Sequence, residues 1–304
     1  MTHLEFFTLF GTEQQCKAHW IELRKKQGVI CKKCGCQKHY WLSKKEQFQC
    51  AKCRFRTTLR SGTIFDSSHL PYRDWYIAMY LMTSSKKGIS ALELQRQLGR
   101  KRYEPVWCLM HKIRDLMAYR EDQYKLNGEI EVDEIFIRVA NTLEVDEKLQ
   151  AGKGSQRQAT AIIAIESSKE NDKGPKGGKR MGYVKVQPIK GHGAIVAKRA
   201  LEKMTETLRK IVSDKGHEFG TLSTLAEHEA VLSTQENNDE HLPWIGVITA
   251  NIKRAFLGIY HSIKRENLAR YLAEFCYKVN RRKFGMEIFE RLLNISVLPK
   301  FVVN

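Results

Sequence analysis

Four of the eight cysteines fall in two close pairs, Cys31-x2-Cys34 and Cys50-x2-Cys53, with fifteen residues between the pairs. Two thiolate pairs, each on a tight turn, can close a tetrahedron of sulfur around Zn²⁺. Such a shell leaves no open position for a substrate, so the metal would be structural. Gly35, directly after the first pair, supplies the flexible backbone that a knuckle needs. Cys36 fits the paired spacing less well. Cys16, Cys108 and Cys276 have apolar neighbours in sequence and read as small core residues. Carboxylates offer a second chemistry. Glu131 and Asp133 are two apart in an Ile- and Val-rich run, so both project from one face of a strand. Asp214 ends another apolar run, Lys210-Ile-Val-Ser-Asp214. Brought together, Asp133 and Asp214 would coordinate Mg²⁺, a hard cation that prefers oxygen ligands. A strand-end Asp is more often a turn former, and spacing alone does not decide between the two. Glu131 and Glu134 read as strand-edge charges rather than ligands.

The elements that must position these groups are legible in outline. Tyr40, Trp41 and Phe48, between the cysteine pairs, suit the short strands of a zinc ribbon over residues 1–70. After Pro71, the residues Trp75, Ala78, Met79 and Met82 recur at helical spacing. Lys87-Gly88 breaks that helix, and Ser90-Ala-Leu-Glu93 has the pattern of a capping box. A third helix from Glu104 carries Val106, Trp107, Met110, Ile113 and Met117 on its inward stripe. Three helices with a Gly-containing turn predict a helix-turn-helix-like DNA-binding domain over 71–127. Arg100, Lys101 and Arg102, just before the last helix, are placed to meet DNA phosphates.

Residues 128–304 read as the larger core. Strands are expected over Ile130–Val139, Thr160–Ile165 and Tyr183–Val186, separated by polar loops at 141–157 and 168–181. A helix over 193–209 and a strand ending at Asp214 follow, and from Pro243 the pattern is helical. Three strands, a crossover helix, a fourth strand and then helices is the order of a ribonuclease H-like core. The fold class is thus mixed α/β and multidomain.

Charge points to the partner. The 304 residues hold 52 Lys plus Arg against 34 Asp plus Glu, a net +18. Residues 1–128 carry +13 of it and the remainder only +5, so a basic front precedes a nearly balanced rear. An excess of this size fits double-stranded DNA better than a membrane. No run approaches 18 consecutive apolar residues. Met1–Phe10 lacks the Lys or Arg of an export signal. Both features place the expected protein in the cytoplasm with reduced thiols.

Nearly the whole chain resembles the bacterial insertion-sequence transposases that join an N-terminal zinc ribbon to a DDE-type core. The resemblance runs through the cysteine quartet, Ser61-Gly-Thr-Ile-Phe65, Lys87-Gly-Ile-Ser90, Glu131-Val-Asp-Glu134 and Ser213-Asp214. It is most specific at Asn251-Ile-Lys253-Arg, Gly258-Ile-Tyr-His261, Tyr271-Leu-Ala-Glu-Phe275 and Asn280-Arg-Arg282. It implies an Asp-Asp-Asn-Lys set: Asp133 and Asp214 as carboxylate ligands of Mg²⁺ (Mn²⁺ as its substitute), Asn251 as third ligand and Lys253 as a DNA contact. It implies cleavage at terminal inverted repeats and transfer of the 3′ hydroxyl into target DNA. It also implies a homo-oligomer, a dimer or larger, on DNA at the bacterial nucleoid. Two departures stand out. Gly246 lies where the family leads one to expect a nearby His, and Lys32 replaces a Pro. A catalytically inactive, transposase-derived DNA-binding protein is the alternative function.

Overall fold

The computed structural model describes residues 1–140, 155–169, 178–216, 219–232, 234 and 241–298. The chain forms two compact units, Met1–Met117 with Phe284–Asn304, and Ala118–Lys283.

In the first unit, helices α1 (His3–Phe10) and α2 (Glu13–Gln27) each open with a capping box, Thr2 with Glu5 and Thr12 with Gln15. The reciprocal bonds satisfy amides that the first turn leaves without partners. Strands β1 (His39–Leu42), β2 (Gln47–Cys50) and β3 (Arg56–Thr58) form an antiparallel sheet. Helices α3 (Tyr72–Ser84), α4 (Ala91–Gln97) and α5 (Glu104–Asp122) follow. Trp75, Ala78, Met79, Met82, Val106, Met110, Ile113 and Met117 are all fully buried, as their helical spacing predicts. Trp107 is only half-buried, and Cys108, expected in the core, is exposed beside it. Cys16 and Cys276 are buried.

Aromatic packing holds the unit together. Phe65 stacks between Trp20 and Trp75, with ring centroids 4.0 and 4.2 Å away. The Ser61–Phe65 segment is therefore a core plug between α2 and α3. The last helix, Ile288–Ser296, sets Phe289 against Phe6, Phe10, Tyr76 and Tyr80. Buried Arg24 donates to the Val297 carbonyl at 3.2 Å. The C-terminal segment, grouped by sequence with the rear core, is thus part of the front unit. Its stripe of Ile288, Phe289, Leu292 and Leu293 is buried there, and that burial is what makes so short a helix stable.

The second unit is built on strands β4 (Leu126–Arg138), β5 (Gln158–Lys169), β6 (Lys179–Ile189), β7 (Thr205–Asp214) and β8 (Glu227–Val231). Their order is β6-β5-β4-β7-β8. The β4–β5 and β5–β6 pairs are antiparallel, whereas β4–β7 and β7–β8 are parallel. Helix α6 (Ala194–Met204) covers the face carrying Ile130, Val132, Ile162 and Ile211. Helices α7 (Pro243–Ala255) and α8 (Leu268–Arg281) cover the other, with Ile135, Ile137, Val212 and Val231. This is the ribonuclease H-like arrangement expected from the order of elements. Helix α6 is shorter than the 193–209 read from sequence. At Thr205 the chain pairs with Leu126 and becomes strand, because ladder bonds to β4 outweigh the local helical pattern. Edge strand β8, Glu227-His-Glu-Ala-Val231, went unread because charged edge strands lack an apolar run. The polar stretches at 141–157 and 168–181 fall largely outside the described residues.

Candidate functional site

The four cysteines of the ribbon converge. The Sγ atoms of Cys31, Cys34, Cys50 and Cys53 all lie within 4.8 Å of one another. Cys31–Cys53 and Cys34–Cys50 approach to 3.5 and 3.6 Å. A sulfur tetrahedron with metal–sulfur bonds of about 2.3 Å has edges of about 3.8 Å, so the cluster has the size that Zn²⁺ requires. The two knuckles repeat one design. Cys31 N–H donates to Cys36 O and Gly35 N–H to Cys31 O; Cys50 N–H donates to Phe55 O and Arg54 N–H to Cys50 O. Gly35 and Arg54 occupy equivalent left-handed positions, φ 69° and 59°. Backbone amides of Cys53 and Lys52 hold the Cys50 thiol down, whereas Cys34, against the pull of the Cys36 amide, is pushed up by hydrogen bonds to the thiols of Cys53, Cys50 and Cys31. Cys36 is not in the cluster; its Sγ faces the Lys38 carbonyl at 3.7 Å.

Strands β4 and β7 position the two aspartates. Their ladder runs to Val132 opposite Ser213. One residue further on, Asp133 and Asp214 therefore stand side by side on the face shared with Ile135 and Val212. Neighbouring strands are about 4.8 Å apart, so the two carboxylates lie at the spacing of a shared cation. Both are half-buried. Asp133 Oδ1 accepts the Glu134 amide at 2.7 Å, and Asp214 Oδ1 accepts the Gly216 amide at 3.3 Å. These bonds fix the rotamers of both acids. Behind β7, Ser213 Oγ donates to the Asp214 carbonyl (2.9 Å) and lies 2.8 Å from His228 Nε2. Burial lowers the His228 pKa.

Helix α7 carries the other two candidates. Ile245, Ile248 and Ile252 face the core, and Asn251 and Lys253 are both exposed. Two residues apart on a helix means about 200° of rotation, so Asn251 and Lys253 lie on opposite flanks. Asn251 shares its flank with Trp244 and Lys253 shares its own with Gly246, each pair being seven apart. A Cβ on Gly246 would meet nothing within 4 Å.

A family model described as the ISXO2-like transposase domain matches residues 125–280, half of the chain. A second, the transposase zinc-ribbon domain, matches residues 11–56. The chain belongs to the ISXO2-like transposase family. No curated protein matches it. Similar solved structures include the "pre-cleavage Mos1 transpososome", with 12% identity, 73% of this chain and 78% of that chain covered, and a TM-score of 0.24. The "Mos1 mariner paired end complex with Mn" is 11% identical, with 69% and 75% covered and a TM-score of 0.25. At these scores the family assignment rests on the two sequence models. Among the described residues, no helix is long and apolar enough to cross a membrane.

Two glutamates of the transposase's first core strand have structural tasks. Glu131 is fully buried, and its Oε2 accepts the amides of Trp244 (2.9 Å) and Ile245 (3.2 Å). It caps the start of α7, which has no local side-chain cap. Burial raises its pKa, against the pull of Ser167, the two amides and Lys179. Glu134 points to the opposite face and meets His192 Nδ1 at 3.1 Å. Both partners are far away in sequence, so nothing local signals either bond. In the three-helix region, Arg100 grips Asp74 through Nε (2.6 Å) and Nη2 (3.0 Å). This fork ties the α4–α5 turn to α3. Lys101 and Arg102 are exposed. Gln95, which sequence reasoning passed over, clamps the same turn by donating to the carbonyls of Arg100 and Lys101.

Proposed function

We propose that this transposase binds the terminal inverted repeats of its element and catalyses metal-dependent strand cleavage followed by strand transfer. The observation that carries the reading is the placement of Asp133 and Asp214 side by side on one face of a ribonuclease H-like sheet, in a chain of a transposase family. The donor set suits Mg²⁺ or Mn²⁺: two hard carboxylates held by backbone amides. Such ions supply activation of the attacking oxygen and stabilisation of the leaving one. In this reading Asp133 and Asp214 hold the metal, Asn251 adds a neutral oxygen ligand, and Lys253 binds a backbone phosphate of the cleaved strand. Their opposite flanks on α7 suit different tasks, one towards the metal and one towards DNA outside it. Lys101 and Arg102 contact phosphates of the ends, while Arg100 positions the turn that presents them. Zn²⁺ on the four cysteines is structural. Two ends must be paired, so the working form is a dimer or larger on DNA, at the bacterial nucleoid.

The test is cleavage of a labelled duplex bearing the sequences that flank the gene, with Mg²⁺ or Mn²⁺. Asp133→Ala and Asp214→Ala should each abolish cleavage and leave end binding intact. Native-level cleavage by either variant would remove the catalytic assignment. Binding without cleavage by the native chain would establish the non-catalytic DNA-binding alternative.

A further inference from the structure

We propose that the outward face of the ribbon sheet reads base edges in the major groove of duplex DNA, through Gln47 and Gln49 with Arg56 and Tyr40 beside them. This rests on the DNA-binding reading above and names the surface that gives it sequence preference. The register puts Tyr40, Gln49 and Arg56 in one row across the three strands, and Leu42, Gln47 and Thr58 in the next. Alternation sends these rows to one face, while Trp41, Phe48 and Thr57 line the other. Phe48 and Thr57 are buried; Tyr40 and Arg56 are exposed, and Gln47 and Gln49 are half-exposed. The glutamine side chains therefore stand on the solvent side of a sheet whose other face is the ribbon's core.

Charge names the occupant. Residues 28–60 hold nine Lys plus Arg and one acid, Glu46, a net +8. That acid is itself paired with Lys17 at 2.6 Å. Lys32, Lys33, Lys38, Lys44, Lys45, Lys52 and Arg54 are all exposed around the sheet. A cationic rim around a face of neutral amides fits a groove bordered by phosphates. Dimensions agree. Three strands at about 4.8 Å spacing span about 10 Å, against a major groove about 12 Å wide. Gln47 and Gln49 are about 6.8 Å apart along the strand, two steps of the 3.4 Å base rise. A glutamine amide pairs with both N6 and N7 of adenine, an arginine fork with O6 and N7 of guanine. The sheet thus presents two adenine-type readers two base steps apart, with Arg56 one strand over from Gln49.

The experiment selects duplexes from a pool with a randomised 20-base-pair core, using the full zinc-loaded chain. The same selection is run on Gln47→Ala/Gln49→Ala and on Lys44→Ala/Lys45→Ala. The glutamine pair should keep one equivalent of zinc and its affinity for unselected duplex. It should lose preference for the native consensus by roughly tenfold or more per glutamine, with the lost positions two base pairs apart. The lysine pair should keep the consensus and weaken all duplexes alike, with a shallower salt dependence. An unchanged consensus and affinity for the glutamine variant, at full zinc content, would overturn the proposal while leaving DNA binding standing. No binding of any duplex by the native chain would overturn the reading beneath it as well.

Discussion

The ribbon's thiolate centre and the core's carboxylate pair are built on opposite principles. The first gathers four ligands from within 23 residues onto two matching knuckles. The second takes Asp133 and Asp214 from strands 81 positions apart and depends on the parallel register of β4 and β7. A closed thiolate shell holds its own fold together. Two acids on a finished sheet need no metal to stay in place, because Glu131 seats α7 and the amides of Glu134 and Gly216 hold the acids. One metal would therefore be part of the fold and the other a visitor to it.

Removing each metal should expose that difference most strongly. Chelation, or Cys50→Ser, should unfold residues 28–60, since zinc contributes on the order of 10 kcal/mol to such small sites. Amides of the ribbon would then exchange rapidly in hydrogen-exchange mass spectrometry, while β4, β5 and β7 stay protected. Asp133→Asn should leave the exchange pattern of both regions untouched. Equal protection of the ribbon with and without zinc would erase the contrast.

The same contrast explains what could be read from the sequence. Ligands close in sequence reveal themselves by spacing, and so did the cysteines and the helix cap at Ser90, whose side chain accepts the Glu93 amide. The order of elements from β4 to β7 was legible because these strands contain apolar runs separated by turn-rich segments. For Asp133 and Asp214 a ligand role is proposed through the family resemblance, since no local pattern tells a ligand from a turn former. Unreadable from either source were bonds between distant residues. Glu131 meets amides 113 and 114 positions away, and the Phe289 helix packs on α3 across more than 200. Arg100 looked like a phosphate contact because its sequence neighbours are basic, and Asp74 lies 26 residues earlier.

Helix α7 offers a smaller test of the carboxylate centre. If Asn251's flank faces the acids, Asn251→Ala should reduce cleavage about tenfold to a hundredfold at matched DNA binding, the loss of a neutral ligand that water can replace. Lys253→Ala should then raise the DNA concentration needed for half-maximal cleavage and leave the saturated rate nearly unchanged. The reverse pattern in single-turnover kinetics would put Lys253's flank at the acids and Asn251 outside.

Next in size is the seat of α7. Glu131→Ala leaves two amides at the helix start unsatisfied and should cost about 1–2 kcal/mol, the loss of a helix cap. Glu131→Gln keeps an accepting oxygen and should retain most of the stability. Urea unfolding followed by tryptophan fluorescence separates the two. Equal losses from both variants would show that the negative charge, rather than an accepting oxygen, seats the helix.

The smallest effect is at Gly246. It sits inside the first turns of α7, where glycine is about 1 kcal/mol less favourable than alanine. Its φ is not among the positive values that would require glycine. A Cβ there would touch nothing within 4 Å. Neither backbone nor packing demands the residue, so Gly246→Ala should stabilise the core by about 0.5–1 kcal/mol, seen as a higher urea midpoint at unchanged slope. Because Gly246 shares its flank with Lys253, the variant also reports on the carboxylate centre. With Asn251's flank at the acids, the added methyl lies away from the reaction and cleavage stays at the native rate. With Lys253's flank there, the methyl intrudes where DNA must sit, and cleavage falls although the fold gains. A destabilised Gly246→Ala would mean that this flank is covered in the folded chain, and the open side of α7 would not be where DNA enters.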